Sequence, residues 1–381
     1  MKHIYLDYNA TSPLKPAIYE GMLPYLKEHF GNPSSIHWAG RQARKAMMEA
    51  RERIARFLRV DAEEIVFTSS GTEANNLALK GTFEAFKHSG KHIITSQVEH
   101  SSILACCDDL KQRGAEITAL SVNAEGQIDL EDLKAAIRPD TILISIQAAN
   151  NETGVRLPMD EIGRMAREHQ VLFHTDAVQM AGKLPLNLDM LPVDMISLSA
   201  HKMAGPKGIG ALILRRGIRL NALIHGGNQE RKRRAGTENL PAIVGFGLAC
   251  DLAVQQELEN AEGLQNLRDR LEEGIWDRIP GARIYGRGSK RVPNTSYVGF
   301  EGIESEGLLL NLDLEGIAAS AGSACSSGSL KPSHVLLAMG YDRSAALSAI
   351  RFSLGHQTTR QDIDTVIDVL PGLLENLKQS R

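Results

Sequence analysis

An aspartate and a lysine at the ends of two consecutive apolar runs are the residues whose types and spacing point most directly to chemistry. Asp176 lies in HTDAVQ (174–179) and Lys202 in SLSAHKMAGPKGIGAL (197–212). In an open α/β sheet, ligands bind outside the carboxyl ends of the strands, where both residues would sit. A lysine amine there can hold a carbonyl cofactor covalently. A carboxylate can pair with a protonated pyridine nitrogen and keep the ring an electron sink. Those are the requirements of pyridoxal 5'-phosphate. Gln179 is placed to hydrogen-bond the ring hydroxyl. A bare Asp and Lys pair is more readily a helix cap and a solvated lysine. Here Ser199 and His201 flank Lys202 as phosphate donors, and Gly205, Gly208 and Gly210 are expected to permit tight turns.

A second anchor is SSGTEANN (69–76), where an apolar run ends, a glycine turn follows and Thr72 is expected to open a helix. The N–H groups and dipole of such a helix start suit a phosphate at Gly71 and Thr72. Taken alone, the motif is equally an ordinary N-cap. His100, in VEHSSIL (98–104), follows another strand-like run at the same edge. An imidazole there can stack on a cofactor ring and move protons near neutral pH. Cys325 stands in SAGSACSSGSLKPS (320–333), a glycine- and serine-rich stretch expected to be a mobile loop. Exposed reactive thiols are usually avoided unless they are used. Cys106, Cys107 and Cys250 sit instead in apolar, helix-like contexts, where cysteine behaves as a small hydrophobe.

These residues need a scaffold that gathers strand ends. EIVFTS (64–69), HIITS (92–96), EITALSV (116–122), TILISIQ (141–147), VLFHTD (171–176) and DMISLS (194–199) read as strands. TEANNLALKGTFEAF (72–86), DLEDLKAAI and MDEIGRMAREHQ between them read as helices. The alternation predicts a mainly parallel sheet covered by helices on both faces. Beyond it, Leu240 to Ile279 reads as helical. Short strands follow in ARIYG, NTSYVGF and SAIRFSL, and a final helix is announced by Thr359 and Asp362. The expected division is a large cofactor-binding domain over 15–255 and a smaller α+β domain formed by 1–14 and 256–381, the latter carrying Cys325.

The 381 residues suffice for about two domains. A net charge of -3 leaves no basic excess to argue for direct nucleic-acid binding. Four cysteines without a CxxC pair suggest neither a disulfide framework nor a zinc site, so no metal is expected. MKHIYLDYNATSPL lacks the regions of a signal peptide, and no apolar run reaches the ~18 residues a bilayer span needs. A reducing, cytoplasmic setting without membrane contact is the expectation.

The motifs together closely resemble one family. YLDYNATSP (5–13), GNPSSIH (31–37), FTSSGTEANNLALKG (67–81), VEHSSIL, NNETGV (150–155), HTDAVQ, SAHKMAGPKGIGAL, RAGTEN (234–239), SAGSACSSGS (320–329) and IRFSLG (350–355) follow the order found in cysteine desulfurases of the NifS/IscS type. These are fold-type I enzymes of the class V aminotransferase group. The resemblance spans nearly the whole chain and implies an α/β fold with a mainly parallel, seven-stranded type of sheet and a smaller α+β domain.

By this resemblance Lys202 holds the cofactor, His100 is the stacking acid/base, and Asp176 and Gln179 hold the ring. Gly71, Thr72, Ser199 and His201 take the phosphate. Thr237 resembles the residue that reaches the cofactor phosphate of a neighbouring subunit, which implies a homodimer. Asn151 resembles a residue contacting both cofactor and substrate, and Arg351 one that holds the substrate carboxylate, a task suited to a planar guanidinium. The implied reaction takes sulfur from L-cysteine, leaves a persulfide on Cys325 and releases alanine. An acceptor protein, either an iron–sulfur scaffold or a tRNA-thiolating enzyme, would receive the sulfur. Members that dock a scaffold often carry a longer C-terminal tail, so that partner is not assumed. The Cys325 thiol, with a reference pKa of about 8.5, needs help to ionise, and His100 is the expected source. A selenocysteine lyase or another class V enzyme is the alternative; a transaminase would have no use for Cys325. The basic run ERKRRAGTEN (230–239), with Lys232 and Arg233, is read either as a solvated cluster or as an acceptor-docking patch.

Overall fold

The computed structural model describes residues 3–322 and 331–379, with the side chains of all but 255–260. Its centre is a seven-stranded sheet in the order Ile65–Thr68, Gly210–Leu214, Met195–Ser199, Leu172–Asp176, Thr141–Ser145, His92–Ser96, Glu116–Leu120. Inner strands such as His92–Ser96 and Thr141–Ser145 are buried at every position, as a sheet covered on both faces requires. The six strands expected from sequence are all present, trimmed by a residue or two at their ends.

The seventh strand is a correction. Gly210–Leu214 read as part of a glycine turn, yet it pairs antiparallel with both Ile65–Thr68 and Met195–Ser199. A Cβ at Gly210 would lie 2.6 Å from the Ser70 backbone carbon and 2.7 Å from the Leu198 oxygen. Gly210 therefore serves close backbone approach, which brings the 69–72 loop down onto the sheet. Gly208, at φ +79°, makes the turn.

Two helices went unread in the N-terminal stretch, Pro16–Lys27 and Trp38–Leu58. The second buries a stripe of Ala39, Ala43, Ala46 and Ala50. It lies against Leu240–Arg278 so closely that a Cβ at Gly247 would come within 2.9 Å of the Ala50 Cα. Small residues at helical spacing leave a weak apolar signal, although they set a close helix contact.

Helix Leu240–Arg278 has 39 residues and runs without a break through the division expected at 255/256. Its first half buries Ile243 and Phe246 in the core around the large sheet. Leu271 and Ile275 enter a second core with Val298, Phe300, Ile350 and Phe352 of a three-stranded antiparallel sheet. Ile4 and Leu6 belong to this second core, and Ile4–Tyr5 pairs in parallel with Ile317–Ala318. The N-terminal segment then crosses to the large sheet, and its residues 7–12 lie between the two cores. Among the described residues no helix is long and apolar enough to cross a membrane.

Candidate active site

A cavity of about 470 Å³ opens at the carboxyl ends of the parallel strands. Gly71, Thr72, His100, Asn151, Asp176, Gln179, Ser199, His201, Lys202 and Arg351, all singled out from sequence, line it together. Strand Leu172–Asp176 delivers Asp176. Strand Met195–Ser199 delivers Ser199, and the short turn Ala200–Lys202 follows directly.

Helix Gly71–Phe86 starts at the cavity. Its cap is Ser70, whose hydroxyl accepts from the Glu73 N–H at 3.1 Å, so the helix begins one residue before the Thr72 start expected from sequence. The first-turn N–H groups of Gly71 and Thr72 have no acceptor within the helix and are available to an anion.

Lys202 Nζ donates to the backbone oxygens of Asn9 and Ala10. Burial, and secondarily the charge of Arg351, lower its pKa to about 8, with Asp7 and Asp176 opposing. A lysine shifted this far is about one-tenth neutral at pH 7 and about half neutral at pH 8, and the neutral form is the one that attacks a carbonyl. Burial and the neighbouring lysines 202 and 207 lower the His201 pKa to about 4, so its imidazole is neutral at pH 7. Asp176 is fixed at both oxygens: Oδ1 accepts from the Val178 N–H at 3.0 Å and Oδ2 from Asn75 Nδ2 at 2.7 Å.

Asn75 was missed from sequence, and it links two expected residues. Its Nδ2 also donates to Ser102 Oγ at 2.9 Å, and Ser102 Oγ lies 2.8 Å from His100 Nδ1. The Ser102 N–H donates to His100 Nδ1 at 3.1 Å. Nδ1 is thereby an acceptor, so the neutral ring carries its proton on Nε2. Burial lowers the His100 pKa, Asp176 opposes this, and Lys202 and His334 add to it.

At the other end, Arg351 is 3% exposed on strand Ala349–Ser353. Its Nη2 donates to Asp7 Oδ1 at 2.6 Å and its Nη1 to the Asn151 oxygen at 3.1 Å. Arg351 Nε and Asn151 Oδ1 are both buried without a hydrogen-bond partner among the described residues. Orphaned polar groups in one cavity are the mark of a site that a ligand completes. A carbonyl-capturing amine, an acid fixed at a strand end, an open helix start and these orphaned groups fit pyridoxal phosphate together with an amino-acid substrate.

One residue expected from sequence falls elsewhere. Thr237 is exposed and lines a separate hollow with Phe67, Thr68 and Gly236. Its segment is nevertheless tied to the phosphate helix. Arg234 Nε donates to Glu73 Oε1 at 2.8 Å, and the buried Glu230 accepts from Arg51 Nη2 at 2.6 Å and from the Phe67 N–H at 3.0 Å. The basic run is partly knit into the protein, since Arg231 and Arg233 both donate to Glu63. Cys325 lies outside the described residues.

The fold and cavity define a fold-type I enzyme that uses pyridoxal phosphate. The aminotransferase class-V family matches residues 4–366. A curated relative, cysteine desulfurase IscS of Dictyoglomus turgidum, is 50% identical over 377 residues, spanning 99% of this chain and 96% of its own. Among solved structures, a NifS-like protein superposes with a TM-score of 0.93 at 38% identity, covering 99% of this chain and 100% of that one. SspA, solved in complex with cysteine, gives a TM-score of 0.82 at 38% identity over 92% of this chain and 98% of its own. The chain belongs to the aminotransferase class-V family, within its cysteine desulfurase branch.

Proposed function

We propose that this protein is a pyridoxal-phosphate-dependent cysteine desulfurase that converts L-cysteine to L-alanine and leaves the sulfur as a persulfide on Cys325. The observation that carries the reading is a single cavity holding the Lys202 amine, with its pKa near 8, and the orphaned pair Arg351 Nε and Asn151 Oδ1. That cavity combines a carbonyl-binding amine with a guanidinium N–H that can meet a carboxylate and an amide oxygen that can accept from a ligand donor.

Lys202 would hold the cofactor, Asp176 would face its ring nitrogen and Gln179 its hydroxyl. Gly71, Thr72, Ser199 and His201 would receive its phosphate. When bound, pyridoxal phosphate supplies an electron sink that acidifies the substrate α-C–H and weakens the Cβ–S bond. Arg351 and Asn151 hold the substrate carboxylate. Lys202 Nζ, about half neutral at pH 8, takes the α-proton, and His100 Nε2 exchanges a proton with the sulfur groups. The Cys325 thiolate attacks the substrate sulfur and the Cβ–S bond breaks. Cysteine and the Cys325 thiol thus become alanine and a Cys325 persulfide, with atoms and electrons balanced.

The assembly is a cytoplasmic homodimer. The exposed Thr237, which lines a hollow other than the cavity, and the exposed Phe30, Ile36 and Trp38 support a second copy. Two separate cores support a large domain over 15–255 and a small one from 1–14 and 256–381. The persulfide would pass to an acceptor protein for iron–sulfur cluster assembly or tRNA thiolation.

The test is the visible absorbance of the purified protein and its production of alanine from L-cysteine. Wild type is expected to carry the band of the lysine-bound cofactor and to release alanine, and Lys202→Ala to do neither. Alanine release by Lys202→Ala at the wild-type rate would refute the reading.

A further inference from the structure

Lys183 is 8% exposed, lies four residues beyond Gln179 in the turn that follows strand Leu172–Asp176, and lines a second cavity together with Lys202. Its Nζ donates to Asn9 Oδ1 at 2.8 Å and to Gln179 Oε1 at 2.7 Å. Both partners are neutral amide oxygens, so no carboxylate offsets a charge there. Burial, with Lys202 and Arg351 nearby, lowers its pKa well below the ordinary lysine value. A neutral amine carries two N–H groups, and two acceptors meet them.

We propose that Lys183 is a positioning residue that fixes the amide orientation of Gln179, so that Gln179 offers the cofactor's ring hydroxyl an N–H and not its oxygen. The inference rests on the cofactor reading above and adds to it the hydrogen-bond polarity at the ring oxygen. The two ends of a glutamine amide are nearly isosteric, and partners decide which end faces which way. Here two partners demand one orientation. Lys183 occupies Oε1, and Gln179 Nε2 donates at 3.1 Å to the Asn9 backbone oxygen, which can only accept. What remains for a cavity ligand is the second N–H of Nε2.

The same lysine orders the next amide. Asn9 Oδ1 accepts from Lys183 and from Asn294 Nδ2 at 3.2 Å, while Asn9 Nδ2 donates to Thr295 Oγ1 and to the Asn151 oxygen. Lys183 thus governs the polarity of a network that reaches Lys202 through the Asn9 carbonyl and Arg351 through Asn151.

An N–H given to the ionised ring oxygen stabilises its negative charge and loosens its hold on the proton of the adjacent cofactor nitrogen. Without Lys183 only the Asn9 backbone oxygen still favours this orientation, so the Gln179 amide turns its oxygen toward the ring more readily, and the proton is held more strongly. The experiment is a pH titration of the visible band of holoenzyme in wild type, Lys183→Met, Gln179→Ala and the double variant, with circular dichroism to monitor the fold. Lys183→Met is expected to raise the titration midpoint by about one pH unit, the size of one hydrogen bond. In the Gln179→Ala background the same change should add nothing, because the two residues act through one contact. Lys183→Gln, which can donate or accept, should fall between wild type and Lys183→Met, and it carries the same cycle should the methionine variant not fold. An unshifted midpoint in the folded Lys183 variants, or equal shifts in both backgrounds, would overturn the proposal. A wild type without the band, or a Lys202→Ala protein that keeps it, would instead sink the cofactor reading and with it this proposal, whereas an unshifted midpoint in a wild-type-like holoenzyme sinks the proposal alone.

Discussion

Arg351 Nη2 donates to Asp7 Oδ1 at 2.6 Å, which joins two residues 344 positions apart in the chain. The contact fixes the guanidinium plane. Nη1 is engaged with the backbone oxygens of Asn151 and Gly322 at 3.1 and 3.4 Å, and Nε keeps no partner among the described residues. An arginine held at its far end meets a carboxylate without first losing side-chain freedom. Asp7→Asn is therefore expected to raise the KM for cysteine about tenfold with a smaller change in kcat, the scale of one charge-assisted hydrogen bond. Arg351→Lys, which loses the planar fork, should lower kcat/KM roughly 100-fold. Steady-state alanine release checks both. A fall in kcat alone would place Asp7 in some other role.

The lowered pKa of Lys202 predicts how the apoprotein takes up its cofactor. The neutral amine fraction rises with pH until about 8 and then saturates. The rate of visible-band formation on mixing apoprotein with pyridoxal phosphate should rise nearly tenfold per pH unit below that value and level off above it. A rise continuing up to the ordinary lysine range would show that the site does not depress this amine.

Glu99 lies fully buried under the site. It accepts from Ser96 Oγ at 2.6 Å and from the Gln147 N–H at 3.0 Å. Burial raises its pKa from 4.5 to about 8, and Asp176 contributes in the same direction. Between those two values the folded state holds a proton that the unfolded chain has lost, so the unfolded state binds fewer protons and stability falls as pH rises. Glu99→Gln, neutral throughout, should flatten that fall across the window from about 4.5 to about 8. Denaturant midpoints of the apoprotein at several pH values would show it. An unchanged slope in the variant would remove Glu99 as its source.

Gly322 stands at φ +87° with no room for a side chain. A Cβ there would meet Tyr297 Oη at 2.7 Å and Glu152 Oε2 at 2.8 Å. Glu152 also accepts from Ser333 Oγ, and Tyr297 Oη donates to the Ala321 oxygen at 3.1 Å. The buried carboxylate and phenol thus hold both flanks of the sequence that contains Cys325. Gly322→Ala should cost about 1–3 kcal/mol through the strained backbone. It should also reduce alanine release at least tenfold while leaving the cofactor band in place. Normal turnover in this variant would show that the flanks tolerate displacement.

Asp176, Ser199, Lys202 and His100 were legible in the sequence because apolar runs mark strands, and chemistry-bearing residues at strand ends share one edge of a parallel sheet. Asn75 carried a readable signal as well, since it lies one helical turn from Gly71 and Thr72. Asp7, Asn9 and Lys183 carried little. Their roles arise only when the N-terminal segment passes between the two cores, and no local pattern encodes that passage. Gly210–Leu214 stayed hidden because its glycine reads as a turn, although it serves two backbones in contact. The alanine stripe of Trp38–Leu58 stayed hidden because close helix contact needs small residues rather than strongly apolar ones.

The central claim is that sulfur leaves cysteine for Cys325. The most direct measurement mixes holoenzyme with L-cysteine, quenches with a thiol-alkylating reagent and analyses the Cys325 peptide by mass spectrometry alongside the alanine released. The account predicts one added sulfur on that peptide, in about equal amount to the first-turnover alanine, and neither product at an appreciable rate from Cys325→Ala. Alanine formed at the wild-type rate by Cys325→Ala, or the added sulfur found on Cys106, Cys107 or Cys250 instead, would contradict it.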